Sequence, residues 1–293
     1  CFATLPCGQV GYIRHGRGFR AGEYRVVQVT GYPQAGKSVP LTGQIRLKGR
    51  YTVLTPNRPG VNIARSIHDK GRRMSLKTLL TASLPADLQS CGVIARSVSR
   101  EAGDDVIRAE MQLHTKTLAK IDQSQTDRDI RVIVQGPTSS TLALREWVGI
   151  DECDLKQNPR PEQTHQVMEA LQSCLAGHVP LKGGGSMDVD VTSALTCIDI
   201  NTGSASGRGA ALMAARQATR EMPRHFRLRG LGGQIVIDYP ALSHDDRCRI
   251  GEELAEAFGQ DAVPTRMIGW TRMGLFEMSR KRDRVPLICV MPL

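Results

Sequence analysis

Two stretches decide the fold of this chain: GGGSMDVDVTSALTCIDINTG at residues 183–203 and LRGLGGQIVIDY at residues 228–239. Residues 195–200 are apolar and β-branched and precede Asn-Thr-Gly, which predicts a buried β-strand. In the second stretch, the short apolar run QIVI follows two glycines and ends at Asp238. Each stretch therefore places one aspartate, Asp199 or Asp238, at the C-terminal end of a predicted strand.

The chemistry of these strand ends admits two interpretations. Alternate side chains of a strand share a face, so Asp199 and Asn201 point the same way. Burying an unpaired carboxylate is costly, and two carboxylates brought together repel each other unless a cation lies between them. Oxygen ligands of this kind suit Mg²⁺ or Mn²⁺ rather than zinc. The two aspartates form either a metal-assisted phosphoryl-transfer site or ordinary strand-end caps of neighbouring turns.

Three segments carry a resemblance to a known family: IDINTG at 198–203, RLRGLGGQIVIDY at 227–239 and GLFEMSRKR at 274–282. They resemble the core of the RNase E/G family of bacterial endoribonucleases. The resemblance implies a Mg²⁺-dependent endoribonuclease, with Mn²⁺ as the other candidate ion, that hydrolyses single-stranded RNA in RNA processing or decay. It further implies that Asp199, Asn201 and Asp238 are catalytic and that Asp199 and Asp238 hold the metal.

The same resemblance implies an α/β chain of several subdomains. Residues 1–48 correspond to a partial S1-like oligonucleotide-binding barrel and residues 49–120 to a mixed α/β 5′-phosphate sensor. Residues 121–178 correspond to an RNase H-like scaffold and residues 179–293 to a DNase I-like catalytic subdomain. Short strand-like runs separated by Gly and Pro favour a small barrel in the first part. We expect that barrel to be incomplete, because the first strands of the family's barrel have no counterpart in this sequence.

The resemblance also implies binding residues outside the catalytic stretch. The positions that match the family's 5′-phosphate pocket are Gly49, Val53, Arg65, Arg96 and Ser97. A guanidinium can bind a phosphate through paired hydrogen bonds, and a hydroxyl and nearby backbone amides complete such a pocket; the alternative is a surface arginine at a strand end. Phe2 and Tyr12 fall where the family's barrel stacks aromatic rings on RNA bases, unless they are core residues of the barrel.

A basic segment with helical periodicity separates the two aspartates. Its arginines at one face could follow an RNA backbone without reading bases, or could form a solvated surface; they are Arg216, Arg220, Arg224 and Arg227. Pro223 is expected to kink or end this helix.

A second basic cluster, which includes Arg280 and Arg282, admits phosphate contacts or a solvated helix end. Asp188 and Asp190 share a face of the preceding strand and are secondary ligand candidates, which we expect to be structural.

The chain departs from the family in three places. The arm between the aspartates is several residues shorter, the segment after Asp238 lacks one acidic residue, and the Cys-Pro-x-Cys zinc-link motif is missing. We therefore expect no zinc and no zinc-linked oligomer, although other oligomers stay open. The shortened arm also leaves a second hypothesis open: a non-catalytic RNA-binding paralogue of the family.

Composition agrees with a polyanionic partner. The 293 residues include 39 Lys and Arg against 29 Asp and Glu, a net charge of +10, and such a charge favours nucleic acid through release of counterions. No run of 18 apolar residues is present, so we expect no membrane span. The eight cysteines form no C-x-x-C pair, which is typical of reduced thiols and leads us to expect a cytoplasmic location.

The segment GYPQAGKS at residues 31–38 matches the P-loop pattern letter for letter. A P-loop needs a helix that begins at its Lys-Ser, so that the helix N-terminus faces the phosphates. The next residues, VPLTGQIRL, contain Pro40 within a β-type pattern, so we expect a hairpin loop here instead of nucleotide binding. Elsewhere periodicity predicts helices at 70–84, 100–125, 138–148, 161–175 and 245–258 and strands at 92–99, 129–135 and 265–270.

Overall fold

The computed structural model describes residues 1–14, 18–33, 36–85, 90–147, 160–259, 261 and 263–291. These residues form a mixed α/β fold with three sheets, and the chain divides into two compact units, Cys1–Gln157 and Asn158–Leu293. None of the described helices is both long enough and apolar enough to cross a membrane.

The first sheet of the first unit is small. Its strands are β1 (Phe2–Thr4), β2 (Val10–Ile13), β3 (Gln28–Val29) and β4 (Val39–Thr42), in the order β1-β2-β4-β3. Its buried apolar core consists of Ile13, Val39 and Leu41. The strand β4 begins directly after the Lys-Ser of the P-loop-like segment. That segment therefore lacks the helix that phosphate binding requires. It lies between β3 and β4, which pair antiparallel, so the predicted hairpin connection is confirmed.

The second sheet of this unit is covered by two helices. Its strands are β5 (Leu47–Lys48), β6 (Thr52–Thr55), β7 (Gly60–Ile63) and β8 (Gly92–Ala95), in the order β5-β6-β8-β7, and its helices are α1 (Lys70–Ala82) and α2 (Asp104–Gln123). The carboxylate of Asp69 caps α1 by accepting from the backbone N–H of Arg72. Leu76, Leu79 and Leu80 bury the apolar face of α1 in a core shared with α2.

One strand predicted in the first unit does not form. Residues 129–135 are irregular, and Ile130, Val132 and Val134 are each about half exposed. Alternating apolar residues favour a strand only where a partner strand supplies hydrogen bonds and cover, and these side chains are uncovered. The neighbouring helix α3 (Ser139–Glu146) lies within the predicted range, and the hydroxyl of Thr138 caps it.

The second unit contains one six-stranded sheet. Its strands are β9 (His178–Pro180), β10 (Ser186–Val191), β11 (Thr196–Asn201), β12 (Gly233–Asp238), β13 (Thr265–Trp270) and β14 (Phe276–Arg280), in the order β13-β14-β12-β11-β10-β9. Its helices are α4 (Pro161–Leu175), α5 (Arg208–Arg229), α6 (His244–Gly259) and the short α7 (Leu287–Val290). Strands β11 and β12 are parallel and α5 connects them, as parallel pairing requires a crossover.

Among the described residues, helices cover one face of this sheet and leave the other uncovered. The inward residues of β11 and β12, such as Ile198, Ile200 and Ile237, are almost fully buried against α5 and α6. The outward residues of the same strands are exposed, among them Cys197 and Asp199. We call the face of the sheet that carries these exposed residues the open face. Alternation along each strand therefore decides which side chains reach solvent.

Pro223 does not end the helix that contains it. The helix α5 runs unbroken from Arg208 to Arg229, and Pro223 is buried within it. Its neighbours Met222 and Phe226 are fully buried on the sheet. Packing of this long apolar face outweighs the hydrogen bond that proline cannot make. Of the two outcomes expected at Pro223, a helix end is wrong for that reason, and a kink stays a prediction.

Candidate active site

The two strand-end aspartates are direct neighbours. In the parallel pair β11–β12, Asp199 lies in register with Asp238, and both side chains are exposed on the open face. Neighbouring strands are about 4.8 Å apart, so the two carboxylates arise from backbone positions close enough for one ion to bridge. Two residues 39 positions apart are thus brought together by one strand pairing.

The strand end that carries Asp238 is anchored from the buried side. The next residue, Tyr239, points into the core, and its hydroxyl forms a 2.9 Å hydrogen bond with Thr219 of α5. Burial raises the pKa of the Tyr239 hydroxyl, against the smaller opposing effect of the Thr219 contact. Tyr239 is therefore neutral at ordinary pH and ties β12 to the helix beneath it.

A third aspartate belongs to the same row. Asp188 of β10 lies in register with Asp199 on the other side of β11. The side-chain amide nitrogen of Asn201 donates to Asp199 Oδ2 at 2.8 Å and to Asp188 Oδ2 at 3.3 Å. Asn201 therefore links two of the three carboxylates. Asp190 lies in register with Cys197, one row further from the strand ends.

Asp188 also has hydrogen-bond partners on the side that faces away from Asp199. The ring nitrogen Nδ1 of His178, on the edge strand β9, lies 2.6 Å from Asp188 Oδ1, and Ser186 Oγ donates to Asp188 Oδ2 at 3.3 Å. Burial by itself would raise the pKa of Asp188. The hydrogen bonds and charge of His178, with the amide of Asn201 and the hydroxyl of Ser186, outweigh it and lower that pKa. Asp188 is therefore ionised near neutral pH.

The row fits one divalent ion at Asp199 and Asp238 better than an ion shared by all three acids. Asp188 lies two strand spacings from Asp238, about 9.6 Å between backbone positions, and both of its oxygens already have hydrogen-bond partners in His178, Ser186 and Asn201. Accordingly, within the described residues no group of three or more His, Cys, Asp and Glu is placed to hold one metal ion. The carboxylate of Asp238 has no hydrogen-bond partner in that part of the chain.

A cleft of about 730 Å³ opens beyond the ends of β11 and β12. Its walls are the loop that follows Asn201 and the loop that follows Asp238, residues 202–208 and 240–243. The guanidinium of Arg208, a lining residue, donates to Ser243 Oγ at 2.8 Å and to Asp246 Oδ2 at 3.1 Å. Ligands of open α/β sheets bind in such a crevice outside the carboxyl ends of the strands.

The basic arm does not line this site. Helix α5 packs on the covered face of the sheet, whereas the carboxylates lie on the open face. Arg216 forms an ion pair with Glu253 at 2.8 Å, and Arg227 forms one with Asp261 at 2.7 Å. Arg220 and Arg224 are exposed. The sheet therefore separates these arginines from the carboxylates, and their contact with RNA stays a prediction.

The second basic cluster lies at the other end of the sheet. Arg280 pairs in register with Gly233, the first residue of β12, and six residues of strand span about 20 Å. The guanidinium of Arg280 is 1% exposed and is paired with Asp261 at 3.2 Å, so it is not available to RNA in this conformation. Arg282 is exposed and donates to the Gly232 carbonyl. The cluster ends a strand and not a helix.

The residues predicted for the 5′-phosphate lie around the second sheet. Arg65 follows β7 and Ser97 follows β8, two strands that pair in parallel, and both side chains are exposed. Val53 lies in register with Ile94 on that sheet. A side chain at Gly49 would meet the carboxylate of Glu110 of α2, because a Cβ there would lie 2.2 Å from its Cδ. Gly49 is thus explained by packing.

Arg96 already has partners within the protein. Its Nη1 donates to the carbonyl oxygens of Gly49 at 2.7 Å and Arg145 at 3.0 Å, and its Nη2 lies 3.0 Å from Glu146. Lys48 also contacts Glu146, at 2.8 Å. A phosphate at Arg96 would therefore have to compete with the carboxylate of Glu146.

Phe2 and Tyr12 lie outside the small core of the first sheet. Their rings are on paired strands with centroids 5.4 Å apart, and they are 72% and 42% exposed. The alternative that they are core residues is wrong, and they remain available for stacking.

Sequence reasoning missed the link between His178, Asp188 and Asn201. The alternation along β10 showed only that Asp188 and Asp190 share a face. The signal that separates them is the register of β10 on β11, which brings Asp188 and not Asp190 opposite Asp199. His178 carried no motif, and it joins the row only because β9 pairs with β10.

Comparison with known proteins identifies related sequences. The model of the Ribonuclease E/G family matches residues 46–152 and 150–283. The chain is 27% identical to Ribonuclease G of Haemophilus influenzae over 92% of its own length, and 28% identical to Ribonuclease G of Escherichia coli K12 over 90%. It is 26% identical to Ribonuclease E of Synechocystis over 88%. The chain spans only 61%, 61% and 44% of these three relatives.

Proposed function

The chain belongs to the ribonuclease E/G family, and from that premise we propose that it is a Mg²⁺-dependent endoribonuclease that hydrolyses single-stranded RNA in processing or decay. The observation that carries the proposal is the in-register pair of Asp199 and Asp238 on the open face of the sheet. Relatives of this chain are named ribonucleases, and the exposed carboxylates are chemistry that such an activity needs.

Asp199 and Asp238 would hold the divalent ion, with Mn²⁺ as a possible substitute for Mg²⁺. The chemistry that such an ion supplies is Lewis acidity, which lowers the pKa of a coordinated water and offsets negative charge that grows on a phosphate. Asn201, which is hydrogen-bonded to Asp199, would orient that carboxylate and leave its own amide oxygen for a further contact. The cleft beyond the strand ends would receive the chain of the substrate.

The family also suggests how the remaining parts contribute. We propose an S1-like role for residues 1–48, in which the exposed Phe2 and Tyr12 stack on bases. Residues 49–120 would sense the 5′-phosphate through Arg65, Arg96 and Ser97. Residues 121–178 would be an RNase H-like scaffold and residues 179–293 a DNase I-like catalytic part.

A cleavage assay with matched variants tests the activity. The substrate is a 5′-monophosphorylated, fluorescently labelled oligoribonucleotide in Mg²⁺ or Mn²⁺. We expect Asp199→Asn or Asp238→Asn to lower kcat by at least about 100-fold, roughly 3 kcal/mol of transition-state stabilisation. Glu256→Gln removes an exposed carboxylate of α6, on the covered side of the sheet, and should leave kcat unchanged.

Binding of the same oligonucleotide, measured by fluorescence anisotropy, separates the proposal from the paralogue hypothesis. Cleavage that is lost in the aspartate variants while binding persists supports an enzyme. Binding without cleavage in either metal by the unaltered chain would overturn the proposal and favour a non-catalytic RNA-binding protein.

A further inference from the structure

We infer that Asp188, held in place by His178, is a positioning residue that fixes the side-chain amide of Asn201 beside Asp199. Its catalytic consequence rests on the proposed function, whereas the positioning itself is a property of the folded chain. Four strands contribute to it, because His178, Asp188, Asp199 and Asp238 lie at one level across β9, β10, β11 and β12.

The amide of Asn201 can adopt only one orientation between these acids. Its nitrogen carries two hydrogens, and the acceptors nearby are Asp199 Oδ2 at 2.8 Å and Asp188 Oδ2 at 3.3 Å. Ionised carboxylates accept and do not donate, so the nitrogen and not the oxygen of Asn201 must face them. With both hydrogens engaged, the amide oxygen is directed away from the pair. Without Asp188, one of these two restraints disappears.

Asp188 can act in this way because it is itself fixed at both oxygens. His178 lies 2.6 Å from Oδ1, while Ser186 and Asn201 donate to Oδ2 at 3.3 Å each. Since an ionised Asp188 accepts, a neutral His178 ring must carry its hydrogen on Nδ1. A side chain with both oxygens held has little freedom to turn, which is what a supporting residue in an active site requires.

The row of carboxylates therefore contains two different gaps. The gap between Asp188 and Asp199 is bridged by the amide of Asn201, which offsets their repulsion. The gap between Asp199 and Asp238 has no donor between its carboxylates among the described residues. A neutral bridge at the first gap leaves the second as the place where a cation would relieve repulsion. Asp188 thus completes the support of Asn201 and leaves Asp199 free to bind on its other side.

The positioning can be observed directly, without any cleavage. The chain has four asparagines, Asn57, Asn62, Asn158 and Asn201, so selective ¹⁵N-asparagine labelling gives four pairs of side-chain amide signals, and Asn201→Ala assigns the relevant pair. Asp188→Asn adds a fifth pair of side-chain signals, which the double variant with Asn201→Ala identifies. We expect Asp188→Asn to shift the Asn201 amide signal and to speed its hydrogen exchange, and His178→Ala to do the same to a smaller extent.

The matched control is another exposed His–carboxylate pair of the same unit. His165 Nε2 lies 3.3 Å from Glu169 on α4, and Glu169→Gln should leave the Asn201 signal in place. An Asn201 signal that is unchanged in Asp188→Asn would overturn the inference. So would an equal shift in the Glu169→Gln control.

Kinetics supply the second measurement. Loss of a residue that supports an active-site group costs about 10- to 100-fold in activity. We expect Asp188→Asn to lower kcat by this amount with KM for RNA nearly unchanged, since substrate binding does not depend on Asn201 alone. An unchanged kcat in Asp188→Asn would contradict the inference. If the unaltered chain does not cleave RNA, the proposed function fails, and the amide signals still decide the positioning.

Discussion

At the scale of single residues, burial decides what a charge can do. Arg280 belongs to a basic cluster that the sequence presents as a candidate RNA contact, yet its guanidinium and the carboxylate of Asp261 are 1% and 0% exposed. Burial by itself would raise the pKa of Asp261. The amide of Val263 and the guanidinium groups of Arg227 and Arg280 outweigh it and hold that pKa below its ordinary value. The pair serves the fold and not the ligand.

Asp261→Asn should therefore destabilise the protein. It leaves the guanidinium of Arg280 buried without its counter-charge, which costs about 3 kcal/mol, measured as the free energy of unfolding in urea at pH 7. Because the folded-state pKa of Asp261 is lowered, its contribution is present above the unfolded pKa of about 3.9 and is lost as pH falls through the folded value. In the Asp261→Asn variant, this contribution to the pH dependence of the unfolding free energy should be absent.

The control for this variant is Asp283→Asn. Asp283 pairs with Lys281 at 2.7 Å, but both side chains are about half exposed, and such pairs contribute little. Equal losses of stability in the two variants would contradict the structural role assigned to Asp261.

At the scale of elements, periodicity predicted the bounds of some helices and strands but not whether every one forms. The helix α4 and the strand β13 begin and end where periodicity places them. The strand predicted at residues 129–135 does not form, because alternation cannot show whether a partner strand exists. Likewise, the sequence places Asp199 and Asn201 on one face of a strand. It does not show the strand register that brings Asp188 and Asp238 beside Asp199. Pairing is a long-range property, and local sequence carries little of it.

The turn that leads into β10 tests how tightly this register is enforced. Gly184 and Gly185 both have positive φ, +87° and +89°, but only at Gly185 would a Cβ clash, 2.2 Å from the backbone oxygen of Asn201. Gly184→Ala should cost about 1 kcal/mol of unfolding free energy for its backbone strain alone. Gly185→Ala should cost at least about 2 kcal/mol more and should also shift the Asn201 amide signal. Equal effects of the two substitutions on that signal would show that the close approach does not position Asn201.

At the scale of the whole molecule, net charge indicates the class of partner, whereas the architecture shows which charged groups share a surface. The net charge of +10 favours a polyanion but does not say which surface receives it. In the second unit the sheet separates two candidate surfaces, since the carboxylates lie on the open face and the long basic helix α5 lies on the covered one. Sequence reasoning could not separate the two surfaces, because helical periodicity shows which residues share a face of α5 but not which side of the sheet that helix covers.

Two exposed arginines on opposite sides of this sheet make the distinction measurable. Arg266 lies on the open face, in register with Ser279 of β14, and Arg220 lies on α5. If RNA follows the open face, Arg266→Glu should raise the Kd for single-stranded RNA roughly fivefold, about 1 kcal/mol. It should also reduce the slope of log Kd against log salt by about 0.7, because one phosphate of the RNA is no longer neutralised by the protein.

Arg220→Glu makes the same change of charge and should alter neither quantity, because the sheet lies between it and the carboxylates. Equal weakening by both substitutions would mean that only net charge attracts RNA, and a larger effect at Arg220 would place the RNA on the helical side.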